Sequence, residues 1–367
     1  MKLDEFIKFN PKESLSKGKC FKCVDMASLK PFTRKPDHFI SIYKNGSKFR
    51  NGDTIMARIT PCLENGKTSY INFLQQNEVA FGSTEFIVAR AKTNVSLPLF
   101  IYYLLCSNRI REIAIGSMTG SSGRERVQQI SLNEIEIPAY SISFQQHIVD
   151  TIGSVDDLIE NYDNQAHIIC SLLKAELKKF STVIPFSFYS PRIIKSGIKT
   201  FDTTKIYLDT SSVEGVNEIF EGEAITFCRR PSRANMQPIA NSVWFAKMKG
   251  SNKIIVVSEK DTDLITGTIF STGFLGIEAT KNLPLSLLTA FLISDSFHVK
   301  RDMCSVGTTM ASINNDSFLR ITVPYLNSKE IDLFESKYKY PVQTLCLLRR
   351  KIAHLKQAKA DLLAKYF

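Results

Sequence analysis

Apolar residues recur at helical spacing along two long stretches, and the rest of the chain is arranged around them. Ile148, Ile152, Val155, Ile159, Tyr162, Ala166, Ile169 and Leu173 follow one another at steps of four and three. That pattern is the seam of a helix lying against another helix. Ser143 with Gln146 three residues later predicts its start, and Pro138 lies just ahead, where a helix cannot yet be running. Over about 36 residues such a helix reaches roughly 54 Å. The second stretch closes the sequence, with Ile331, Phe334, Tyr338, Val342, Leu345, Leu348, Ile352, Leu355 and Leu362 as its apolar positions and Asn327 with Glu330 as its cap. Pro341 predicts a kink there, or a division into a short lead-in and a long arm. Two long seams predict an antiparallel pair of helices separating two globular bodies; the plainer reading is two unrelated core helices.

Internal repeats favour the first reading. Leu97-Pro98-Leu99 recurs as Leu283-Pro284-Leu285, 186 positions later, and Ile135-Glu136-Ile137-Pro138 recurs as Ile321-Thr322-Val323-Pro324 at the same offset. Lys174-Ala175-Glu176-Leu177 recurs as Lys359-Ala360-Asp361-Leu362. Upstream, Gly52-Asp53-Thr54-Ile55 followed by Arg58 has an echo in Gly222-Glu223-Ala224-Ile225 followed by Arg229, at a different offset. Collinear matches of this kind predict a duplicated domain-plus-helix unit. The expected boundaries are a first domain at 1–140, a central helix at 141–183, a second domain at 184–325 and a terminal helix at 326–367.

Within the first domain, short apolar runs predict strands at Thr54–Ile59, Thr68–Phe73 and Glu85–Ala91, and a helix over Leu97–Ile115 with Pro98 in its first turn. Gly116–Arg124 is small and polar, hence an exposed loop. The second domain repeats the plan, with strands at Ala224–Arg229, Ser242–Lys247 and Lys253–Val257, further strands within Ile193–Leu208, a helix from Pro284 and a polar loop at Ser305–Ser312. The class is α+β, two tandem mixed α/β domains.

The formal net charge of +11 changes the picture once divided. Residues 1–140 carry 20 basic and 13 acidic side chains, giving +7; 141–183 carry 3 and 6, giving −3. Residues 184–325 carry 15 and 13, giving +2, and 326–367 carry 9 and 4, giving +5. A basic balance suits polyanions such as nucleic acid. The amino terminus is charged and lacks a long apolar run, so no signal peptide is expected. No apolar stretch is long enough for a membrane span. Eight dispersed cysteines fit a reducing cytoplasm.

Signatures of catalysis are missing. Cys20-Phe21-Lys22-Cys23 has CxxC spacing without a second pair of ligands; no HExxH, GxxxxGK[ST] or GxGxxG occurs, and no carboxylate cluster suggests a two-metal nuclease. No Asn/Asp-Pro-Pro-Tyr-like loop of an amino-methyltransferase is present. The sequence reads as a binder with neither metal nor cofactor of its own. Candidate DNA contacts lie where basic and amide side chains crowd into loops. They are Arg58, Thr60, Asn65 and Lys67 with Ser83 and Thr84; Arg124 and Arg126; Arg229, Arg230, Arg233, Asn235 and Gln237; and Thr308 and Thr309. Arg suits guanine edges and phosphates, and Asn or Gln suits adenine edges, so mixed loops fit base reading. For each of them the plainer reading is a solvated loop side chain. Trp244 and the phenylalanines read as core.

These features together resemble the specificity subunit of type I restriction-modification systems. The resemblance is carried by Gly52–Arg58, by Arg58-Ile59-Thr60-Pro61 leading to Glu64-Asn65-Gly66-Lys67, by Phe81-Gly82-Ser83-Thr84-Glu85-Phe86, and by Ile135–Pro138 running into Gln145-Gln146-His147-Ile148-Val149. The second half matches more loosely, in Tyr207-Leu208-Asp209-Thr210 and Ile321–Pro324. Pro341 and the missing Gln-Gln ahead of the terminal helix are departures. The resemblance implies two target-recognition domains held apart by a helical spacer, each reading one half of a split double-stranded DNA target. It also implies that the helices, through residues such as Ile148, Ile152, Ile159, Ile169, Leu345, Ile352 and Leu355, form the spacer and dock two methyltransferase subunits. S-adenosylmethionine, ATP and Mg would then reside on those and on restriction motor subunits. Recognition residues do not transfer within this family, so the loop residues rest on the reading of this chain. Two other readings stay open: a stand-alone nucleic-acid adaptor of the same fold, and an enzyme acting on nucleic acid by itself.

Overall fold

The computed structural model describes residues 1–305, 307 and 311–367. The chain forms two compact units, Met1–Ile159 with Leu355–Phe367, and Glu160–His354.

The first unit runs α1 (Leu3–Phe6), β1 (Ile7–Phe9), β2 (Cys20–Val24), β3 (Phe39–Ile42), β4 (Ser47–Phe49), β5 (Asp53–Ala57), β6 (Thr68–Tyr70), β7 (Ala80–Gly82) and β8 (Phe86–Ala91). Helices α2 (Pro98–Cys106), α3 (Asn108–Gly116) and α4 (Gln129–Asn133) follow, and then the start of α5 (Ile142–Leu177). One sheet has the order β1-β8-β5-β6 and the other β3-β2-β7-β4. All five residues of β5 are buried. Alternate side chains leave a strand on opposite faces, so Met56 packs with α2 in one core while Ile55 packs with Val24, Phe49 and Val88 in another. Buried Asp53 is balanced by Arg90, whose Nε and Nη2 each donate to it at 2.7 Å. The single helix expected over Leu97–Ile115 is two, because Ser107 is extended (φ −65°, ψ 145°) between α2 and α3.

The second unit repeats the plan. Its strands are β9 (Val183–Pro185), β10 (Arg192–Ile193), β11 (Lys205–Leu208), β12 (Val213–Glu214), β13 (Glu218–Ile219), β14 (Glu223–Ile225), β15 (Ala234–Met236), β16 (Ser242–Ala246), β17 (Ile254–Val257), β18 (Thr268–Ser271), β19 (Phe274–Glu278) and β20 (Thr322–Pro324). Its helices are α6 (Thr262–Gly267), α7 (Leu285–Ile293), α8 (Asp295–Cys304), α9 (Asn315–Arg320) and most of α10 (Ser328–Tyr366). Its four-stranded sheets are β10-β19-β16-β17 and β14-β11-β18-β15, beside two-stranded pairs β12-β13 and β20-β9. Each four-stranded sheet matches one of the first unit strand for strand, including one parallel pair, β2–β7 and β11–β18. Trp244 is fully buried in β16, as expected, and donates to Ser242 Oγ at 2.9 Å.

That strand order corrects one step of the sequence alignment. Gly222–Ile225 leads into β14, an edge strand equivalent to β3, so it is not the counterpart of Gly52–Ile55. The true counterpart of β5 is β16, which is entered through Asn241 (φ 51°) where β5 is entered through Gly52 (φ 88°). Asn tolerates the left-handed conformation almost as Gly does, so the backbone repeats while the letter changes. The counterpart of Arg58 is therefore Lys247 and not Arg229. Backbone bonds agree: Arg58 N donates to Glu85 O and Val127 N to Arg58 O, while Lys247 N donates to Gly273 O and Ile313 N to Lys247 O.

The long helices differ from expectation at two points. Helix α5 starts one turn-half early, because Ser141 rather than Ser143 accepts from a helical amide, that of Phe144 at 3.2 Å. Helix α10 runs unbroken through Pro341. A helical proline costs roughly 3 kcal/mol, but Tyr338 and Val342 on either side are locked in the core of the second unit. The capping box is as expected, with Asn327 N donating to Glu330 and Glu330 N to Asn327. The apolar seam serves the cores of the units themselves. Ile148 and Ile152 are fully buried in the first, Leu345 is buried in the second with Ile169 against it, and Ile352 and Leu355 are half-buried. Ile159 is 8% exposed.

Helix ends are pinned by charge. In the first unit, buried Lys359 donates to Asp156 at 2.8 Å and to Tyr102 Oη at 3.3 Å, and Tyr103 donates to Asp156 at 3.0 Å. In the second, Glu176 of α5 accepts from Lys337 and Tyr338 of α10 at 3.0 and 2.8 Å.

Removing one member of a buried pair strands the other charge at a cost of about 3–5 kcal/mol. Lys359→Ala and Asp156→Ala should each lower stability by that order in urea unfolding, whereas Asp156→Leu with Lys359→Met should cost much less than their sum. The donors Lys179, Lys337 and Tyr338 hold the Glu176 carboxyl at about 2, below its unfolded value of about 4.3. Its stabilisation is therefore complete above about pH 4.3 and is lost as pH falls through about 2. Glu176→Gln should lower the melting temperature at neutral pH, and the gap to the unsubstituted protein should close across that acid window.

Candidate nucleic-acid interface

Strand β5 delivers Arg58 to a loop edge, and the turn before β8 brings Glu85 beside it. Arg58 Nε donates to Glu85 at 3.3 Å. Arg126, distant in sequence, reaches the same carboxylate with Nε and Nη2, the closest contact being 2.7 Å. Arg126 is carried there by backbone pairing with Thr119 and Ile59, while Thr60 N donates to Glu125 O. The bond from Arg126, opposed by partial burial and helped by both guanidinium charges, holds the Glu85 carboxyl below the ordinary range, so it stays ionised.

One carboxylate thus fixes two guanidinium groups, with different results. Arg126 spends Nε and Nη2 on Glu85 and Nη1 on Arg124 O at 3.2 Å. Arg58 spends only Nε; its terminal nitrogens have no hydrogen-bond partner among the described residues, and its side chain is 38% exposed. A guanidinium anchored at Nε and open at both Nη groups is a fork that matches the paired acceptors of guanine.

The other sequence candidates divide plainly. In the first unit Thr84, Asn65 and Arg124 are exposed, and the hydroxyl of Ser83 accepts from Glu85 N at 3.1 Å. Thr60 Oγ1 lies 3.3 Å from Glu125. Lys67 is committed elsewhere, donating to Met26 O at 2.8 Å. In the second unit Arg229 and Arg233 are exposed, and Asn235 is half-buried. Arg230 lies 4.0 Å over the ring of Phe227 and donates to its carbonyl at 2.6 Å. Gln237 donates to Ile265 O at 2.6 Å. Thr308 and Thr309 lie outside the described residues. Cys20 and Cys23 are three apart on β2, hence on opposite faces, one exposed and one buried.

Glu85, which the sequence places beside the Arg58 group, organises the arginines of the first unit. Lys247, which stands at the counterpart of Arg58 in the second unit, was missed from sequence. The near-constant offset of the repeat held the signal: 189 positions from Arg58 is Lys247. Among the described residues no helix is long and apolar enough to cross a membrane.

A family model for the type I restriction modification DNA specificity domain matches residues 1–168. The chain is 28% identical over 125 residues to the type I restriction enzyme EcoAI specificity subunit of Escherichia coli, and 31% identical over 128 residues to the EcoEI specificity subunit of the same organism. Each match covers 34% of this chain and 21% of the relative, so the chain spans about a fifth of the length of these curated relatives. Among solved structures, the S subunit of a type I system from M. genitalium is 16% identical with a TM-score of 0.49, covering 100% of this chain and 95% of that one. The HsdS subunit from Thermoanaerobacter tengcongensis is 15% identical with a TM-score of 0.40, at 100% and 95% coverage. These overlaps are loose, and the architecture follows from the strand order and packing already given. The match to the type I restriction modification DNA specificity domain covers residues 1–168, a little under half of the chain.

Proposed function

We propose that the chain is the non-catalytic DNA-reading subunit of a type I restriction-modification complex in the cytoplasm, and that each unit reads one half of a bipartite target. The family match over residues 1–168 carries the reading for the first unit. The same pair of sheets in the second unit extends it, since a repeated scaffold presents the same loops to a second stretch of DNA. Arg58 is the base reader in the first unit: Glu85 fixes its plane and its Nη groups are open. Two methyltransferase subunits, with S-adenosylmethionine, and restriction motor subunits, with ATP and Mg, supply the chemistry in this proposal, and the chain supplies the address. The long helices serve as the spacer that sets the gap between half-sites.

Single-molecule mapping of adenine methylation in the native genome, with and without this gene, tests the reading. Deletion should erase methylation at one split motif and leave all others. An unchanged map in cells that express the chain would favour a stand-alone adaptor. Arg58→Ala should weaken binding to the mapped motif by about 1–3 kcal/mol and relax specificity at one base pair. Equal affinity for matched and substituted duplexes in fluorescence anisotropy, before and after the substitution, would remove Arg58 as a base reader.

A further inference from the structure

We infer that Lys247 and Arg233 form a clamp for a DNA backbone phosphate in the second unit, at the place where the first unit positions Arg58. The inference rests on the DNA-reading function proposed above.

Lys247 leaves β16 as Arg58 leaves β5. Its amide bonds the turn before β19, at Gly273 O, 2.9 Å, as the Arg58 amide bonds the turn before β8, at Glu85 O, 3.0 Å. The residue across that turn differs in one decisive respect. The first unit has a carboxylate, and the second has Gly273, which has no side chain at all. What stands beside Lys247 instead is a second cation. The carbonyl of Arg233 accepts from Thr272 N at 2.9 Å, one residue from Gly273, so both basic residues are anchored to the same short turn. Neither side chain has a hydrogen-bonded or ionic partner among the described residues.

Two cations held at one turn with no anion bonded to them among the described residues repel each other and lack compensation. Burial, with the nearby Arg233 adding to it, keeps the Lys247 ammonium below the usual lysine range. A phosphate placed between them reverses both effects. Lysine is a compact point charge that suits a phosphate and lacks the planar fork of arginine. The two units thus meet DNA differently at equivalent points: a carboxylate-held fork in the first, an open cationic pair in the second.

The test uses the full-length chain and fluorescein-labelled, mixed-sequence DNA duplexes, with affinity read by anisotropy across a salt series. Lys247→Gln should weaken binding by the same factor on every duplex and reduce the slope of log K against log salt by about 1. Arg233→Gln, at an exposed position where misfolding is not a concern, should do the same, and Lys247→Arg should restore the slope. Lys329→Gln, which removes one charge from the exposed first turn of α10, should leave the slope unchanged. Unaltered slopes for both Lys247→Gln and Arg233→Gln would overturn the clamp, as would a loss confined to one sequence. If the unsubstituted chain shows no salt-dependent binding, the DNA-reading function itself fails.

Discussion

An ammonium buried among aromatic rings is tolerable only beside its counter-charge, and the first unit is built around that constraint. Lys359 and Asp156 are 6% and 5% exposed at their side chains, with Tyr102 and Tyr103 completing the hydrogen bonds. A slip of α10 by one residue would carry Lys359 away from Asp156 and bury an unpaired charge, a penalty of several kcal/mol. Apolar contacts alone, which tolerate sliding, would not set the register so firmly. The second unit uses the same device with different residues: Asp261, itself 1% exposed, takes Arg349 and Arg350 of α10 at 2.6 Å each. In both units the terminal helix is keyed by charge and cushioned by hydrocarbon.

Upon that frame the candidate loops hang from strand ends. Strand β5 is buried on both faces and cannot shift, so the residue leaving it has a fixed origin. Glu85 then converts position into orientation, because a carboxylate bonded to Nε dictates the plane of the guanidinium. The second unit keeps the origin and discards the orienting carboxylate. The duplicated scaffold thus carries unequal loop chemistry.

Much of this was legible in the sequence. Leu97-Pro98-Leu99 and Leu283-Pro284-Leu285 mark the start of α2 and α7, and the Ile-x-x-Pro steps mark the same corner of each unit, because proline placement is dictated by the backbone. Trp244 in the core and the Asn327–Glu330 box were equally plain. What failed were matches resting on a few letters. Gly222-Glu223 imitates Gly52-Asp53 but opens an edge strand, while the true counterpart, Asn241-Ser242, shares only a left-handed turn. The kinship of Arg58 and Arg126 was hidden because their common partner, Glu85, binds them through space, with 41 positions between it and Arg126. A periodic pattern reports which face of an element is buried and is silent about which loops share an ion.

The Lys359–Asp156 pair also sets a timetable for biosynthesis. The two residues are 203 positions apart, and everything between them except the ends of two helices belongs to the second unit. At about 5–20 residues per second, Asp156 is made roughly ten to forty seconds before its counter-charge. The unit that begins first in the chain is therefore completed last.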